Sequence, residues 1–102
     1  MRYDAFIQRL IDAVTTSDGA TPPELRRAVM ERRSVKLPAQ LGQYVETVDR
    51  HAYRVTDSAV QALQQSGNSE DALFEITVSA SLGAALHRLE RGMAALRGQE
   101  PD

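Results

Sequence analysis

The side chains able to do acid–base work are few, and Glu75 stands out among them. On a helical wheel it falls inside an apolar stripe of the last helical segment rather than at its edge. From Ala72 to Leu86 it is the sole charged residue. A bare carboxylate in a dry core costs several kcal/mol unless it is paired or hydrogen-bonded. An arginine, His51 or a tyrosine hydroxyl is therefore expected beside it. His51 aligns with Tyr44 two turns earlier on the third helical segment, and a His–Tyr pair next to a carboxylate would make a proton relay. Glu75, His51 and Tyr44 are thus the catalytic candidates, against a plainer reading in which Glu75 is solvated or locked to an arginine. His87 precedes Glu90, but the di-iron carboxylate pattern needs Glu-x-x-His on two helices, and this chain has neither. No metal and no cofactor is expected: Gly-x-Gly-x-x-Gly, a phosphate-cradling loop and Gly-x-Ser-x-Gly do not occur. The chain has no cysteine, which excludes disulfides, thiolate metal sites and thiol redox chemistry carried by this chain alone.

These residues must be positioned by helices. Alanine and leucine dominate the apolar set, aromatics are 5% of the chain, and strand alternation is almost absent, which favours helix over sheet. Phe6, Ile7, Leu10, Ile11 and Val14 share one face of a first helix, which should fade in the polar stretch 15–19. Thr21-Pro22-Pro23-Glu24 reads as the start of a second, with Thr21 as cap, over residues 25–33. A third begins near Pro38 with Leu41, Val45, Val48 and Ala52 as its core stripe. Thr56 caps a short fourth helix through Leu63, which Gly67 stops. Ser69 caps the last and longest, from Glu70 to Arg97, ended by Gly98. The expectation is all-α: one bundle of about five helices over residues 1–98 and a disordered tail over 99–102.

The last helix has two apolar faces. Val78, Leu82, Ala85, Leu86, Leu89, Met93 and Leu96 form the stripe expected to meet the core. Leu73, Ile76, Ala80, Gly83 and Ala84, with His87 at the end, lie roughly opposite. A helix apolar on all sides must be covered on all sides, which is hard for a domain of this size. The small face is accordingly expected to pack against another copy of the chain, making a homo-oligomer; the plainer alternative has the first two helices covering both sides.

Charge narrows the classes further. Twelve basic against fourteen acidic residues give −2, no field to draw nucleic acid or an anionic membrane. The basic cluster Arg26, Arg27, Arg32, Arg33 and Lys36 is interrupted by Glu24 and Glu31 and lacks helix-turn-helix spacing. It reads as a solvated helix face, or as arginines meeting acidic residues on another subunit. No apolar run reaches the roughly 18 residues of a membrane span, and Met1-Arg2-Tyr3-Asp4 lacks a signal-peptide layout. A cytoplasmic, soluble protein is expected, with no nucleic-acid or membrane partner.

From about Leu37 onward a resemblance adds to this. The run Tyr53-Arg54-Val55-Thr56-Asp57, followed by Val60, Leu63, Gly67, Ser69-Glu70-Asp71 and Phe74-Glu75-Ile76, resembles the C-terminal part of the carboxymuconolactone decarboxylase / alkylhydroperoxidase D family. Val78-x-Ala80-x-Leu82-Gly83-Ala84-Ala85-Leu86-x-Arg88-Leu89 resembles its long last helix. The resemblance implies an all-helical fold and assembly as a trimer or hexamer. Redox members carry a Cys-x-x-Cys followed by a histidine; here residues 26–33 hold nothing equivalent, so the peroxidase activity does not carry over. Two functional readings remain: a binding, scaffold or accessory domain with a possible protein partner, or a cysteine-independent decarboxylase- or isomerase-like enzyme using a Glu/His pair at a subunit boundary.

Overall fold

A computed structural model describes residues 2–32 and 37–98. Among them are five α-helices and no strand: α1 Asp4–Thr16, α2 Pro23–Met30, α3 Ala39–His51, α4 Asp57–Gln65 and α5 Glu70–Leu96, with one 3₁₀ turn, Ala52–Arg54, after α3. The all-helical expectation holds. Arg33 and Lys36 of the basic cluster and the tail over 99–102 lie outside the described residues. The second helix, expected to reach about residue 33, ends at Met30, because Arg32 at φ 60° turns the chain out of it.

Local chemistry sets most boundaries. The Thr56 hydroxyl accepts from the Ala59 amide at 3.1 Å, and that of Ser69 from the Ala72 amide at 3.1 Å, so both serve as N-caps. Gly67 (φ 105°) and Gly98 (φ 76°) take the left-handed conformation just past α4 and α5. Two further boundaries depart from expectation. α1 continues through Thr15 and Thr16, because the hydroxyls of Thr15, Thr16 and Ser17 donate back to the carbonyls of Ile11, Asp12 and Ala13 at 2.6–2.7 Å. Such bonds cover carbonyls that a fading helix would expose to water. α2 begins at Pro23 with Pro22 in the capping position and no side-chain cap; Thr21 does not cap it but turns elsewhere.

α5 is the axis on which α2, α3 and α1 pack. Leu41, Leu63, Leu73 and Ile76 form one buried cluster, with Leu25, Leu37, Tyr44, Val45 and Val60 packed around it; Val29, Val48 and Ala80 form a second. The face of α5 expected to meet the core is therefore not the one that does. Leu73, Ile76, Ala80, Gly83 and Ala84 are buried in the chain's own core and present no surface to another copy, while His87 is exposed. Val78, Leu82, Leu86 and Met93 are only half-buried, and Ala85, Leu89 and Leu96 are exposed. The cause is steric. A side chain at Gly83 would run into the Met30 carbonyl, so the end of α2 lies directly on the α5 backbone, and only small residues permit that approach.

Gly83→Ala should therefore destabilise the protein by about 1–3 kcal/mol, overpacking outweighing the gain in helix propensity. Gly42, in α3, has open space where its Cβ would stand. Gly42→Ala should be neutral or stabilising by up to about 1 kcal/mol. Paired urea titrations check both, and equal behaviour of the two variants would contradict the packing described.

Candidate functional site

Glu75 lies in the second turn of α5, beside the loop that joins α1 to α2. Its Oε2 accepts from the Ala20 amide at 2.7 Å. Its Oε1 accepts from the Thr21 amide at 2.8 Å, the Thr21 hydroxyl at 2.6 Å and Arg26 Nη1 at 3.3 Å. Two successive backbone N–H groups aimed at one carboxylate make an anion-binding concavity, here occupied by the chain's own side chain. The Thr21 hydroxyl bond, foremost, then the two amides and the Arg26 charge hold the Glu75 carboxyl below its ordinary range, against desolvation acting the other way.

Arg26 completes the arrangement from α2. It is 3% exposed, and its guanidinium reaches the carbonyls of Val14 (2.8 Å), Thr21 (2.6 Å) and Ser17. It therefore covers carbonyls at the end of α1 and in the following loop while meeting Glu75. Gly19 makes room for this: a Cβ there would stand 2.6 Å from Glu75 Oε2. Of the partners anticipated for Glu75, the arginine is the one present. Thr21 and the backbone amides were not foreseen, since a Thr-Pro-Pro-Glu run signals a cap and nothing in it signals a distant carboxylate.

The other candidates are not brought to Glu75. Thr77 donates to the Leu73 carbonyl at 2.6 Å, so the 2.6 Å contact between Tyr44 and Thr77 has the tyrosine as donor. That chain of hydrogen bonds ends on a backbone carbonyl rather than a carboxylate. His51 is exposed at the end of α3, with its ring edge-on to Tyr53 at 5.8 Å between centroids. The proton relay is not assembled. Of the basic cluster, Arg26 is buried, Arg27 Nη2 lies 3.4 Å from the Thr15 hydroxyl, and Arg32 pairs with Asp49 at 2.6 Å. It is thus not one solvated face.

A groove of about 730 Å³ opens between the end of α2, α3 and α5, lined by Val29, Arg32, Val45, Asp49, Arg50 and His87 among others. Neither Glu75 nor His51 lines it; Tyr44 lines a smaller hollow of about 240 Å³. Arg32 turns the chain past α2 at φ 60°, a left-handed conformation that costs a side-chain-bearing residue on the order of 1 kcal/mol. Its ion pair holds Asp49 by Oδ2, leaving Oδ1 buried without a partner. No group of three or more potential metal ligands occurs among the described residues, and no described helix is long and apolar enough to cross a membrane. Compared with protein-family models, curated proteins and solved structures, the chain matches none.

A carboxyl whose folded pKa is depressed adds stability above its unfolded pKa, and that contribution disappears as pH falls through the folded value. Glu75→Gln should therefore lower stability by about 1–3 kcal/mol at neutral pH, with the difference from the native chain shrinking steadily below about pH 4.5. Urea midpoints measured across pH 3–8 check this, and a gap independent of pH would refute it.

Proposed function

We propose that the chain is a cytoplasmic, self-assembling helical scaffold or accessory domain of the carboxymuconolactone decarboxylase / alkylhydroperoxidase D type, without thiol chemistry of its own. One observation carries the reading. The best-placed carboxylate accepts four hydrogen bonds from its own chain, two of them from backbone amides. A general acid or base must give and take a proton at a substrate atom, whereas a carboxylate held so strongly in its charged form is a structural anchor. The all-helical architecture with its long final helix agrees with the family likeness, and the absence of cysteine agrees with a member that has no thiol chemistry. Self-assembly is supported by the apolar surface left on α5, where Phe74 is 69% and Leu96 81% exposed.

The enzyme reading required Glu75 and His51 to converge on one pocket. With Glu75 engaged by Thr21 and Arg26 and His51 at the surface, the scaffold reading has the stronger support. Light scattering at micromolar concentration should give a multiple of 11.2 kDa, and a monomeric mass would overturn the proposal. His51→Ala should leave both mass and stability unchanged within about 0.5 kcal/mol, as for surface positions generally. A loss of assembly or of more than about 2 kcal/mol would show that His51 has partners outside the isolated chain.

A further inference from the structure

The outward face of α5 is patterned rather than merely apolar. Val78, Leu82, Ala85, Leu89, Gly92 and Leu96 follow one another at spacings of four, three, four, three and four, the seam of a two-helix coiled coil. The residues alternate in size. Every seventh position on one register is small or β-branched (Val78, Ala85, Gly92), and every seventh on the other is leucine (Leu82, Leu89, Leu96). Val78 and Leu82 are half-buried, and the other four are exposed. A Cβ at Gly92 would meet nothing of this chain. A glycine inside a helix costs about 1 kcal/mol relative to alanine, and no intrachain approach calls for one there, unlike at Gly83.

Charge gives the seam a direction. Glu70 and Asp71 stand exposed at the start of α5, while Arg88, Arg91 and Arg97 outweigh Glu90 near its end, all four of these exposed too. Parallel pairing of two such helices would set like charges together. Antiparallel pairing sets each acidic start toward the partner's basic end, and it lays the leucines of one copy over the small residues of the other. We infer that α5 is the surface by which two copies of this chain pair, antiparallel about a twofold axis near the middle of the seam. This rests on the self-assembly proposed above and specifies its face and orientation. The assembly is then a dimer or an even multiple of it.

The chain's freedom from cysteine makes the test direct. At 1.5 Å per residue the seam is about 27 Å long. Antiparallel copies place the two Ala85 positions only about 6 Å apart along the axis, and the two Leu96 positions about 27 Å apart. A short bis-maleimide linker should therefore couple Ala85→Cys into a covalent dimer and leave Leu96→Cys uncoupled. Coupling of Leu96→Cys as well as Ala85→Cys would mean a parallel pair and overturn the antiparallel arrangement. Leu89→Glu, at an exposed site, should keep its helical circular dichroism while its mass in solution falls at least twofold. A mass that stays native would overturn the inference, as would a trimeric native chain or failure of both cysteine variants to couple while the mass remains a multiple; self-assembly through another face would then still stand. A native chain that is monomeric would remove both.

Discussion

The contact between Arg26 and Glu75 is where the chain's beginning is fastened to its end. The two residues are 49 positions apart, and a loop of that length costs entropy to close. The return comes from several hydrogen bonds made together. Arg26 takes up the carbonyls of Val14, Ser17 and Thr21, while Glu75 takes up the amides of Ala20 and Thr21. Every group involved would be costly to bury alone, and together they leave the polar loop between α1 and α2 with partners on both sides. The orientation of α1 follows from this polar knot as well as from its own apolar contacts, Ile7, Ile11 and Val14 being only half-buried. Thr21 is central because its hydroxyl accepts from Arg26 and donates to Glu75.

The second constraint is the close approach of α2 to α5. With the Met30 carbonyl over Gly83, the two helices lie nearer than leucine would allow. The face of α5 that looks weakest in transfer free energy thereby becomes the best buried. Ser79, fully buried, fits there because its hydroxyl donates to the Glu75 carbonyl one turn earlier. The same arrangement turns Leu82, Leu89 and Leu96 away from the core, and both the apolar surface and its seam pattern result from that single choice.

Much of this was legible in the residues. The number of helices, the caps at Thr56 and Ser69, and the stops at Gly67 and Gly98 all follow from local rules that tertiary structure did not override, and an arginine was one of the three partners that a carboxylate at Glu75 called for. What could not be read was which side of α5 faces inward. Summed hydropathy favours the stripe containing Leu82, Leu86 and Leu89, because it rewards large apolar surface and ignores how near two backbones can come. Nor was Thr21 legible, since its role depends on a residue 54 positions away. Asp49 and Arg32 carried no signal either, as nothing in their neighbourhood marks a left-handed turn at an arginine.

The length of α5 matters beyond its contacts. Its last buried residue is Ala84, yet the helix runs on to Leu96, and past Ala84 only Leu86, Met93 and Ala94 are even half-buried. In an isolated chain those last turns are held mainly by their own backbone bonds, which are marginal at that length, with one side-chain tie from Arg88 to the Asp49 carbonyl at 3.3 Å. Amide hydrogens there exchange through fraying, while those near Ile76 wait for the whole molecule to open. The far end of α5 is in this sense conditional structure, whose rigidity is set by what lies against it.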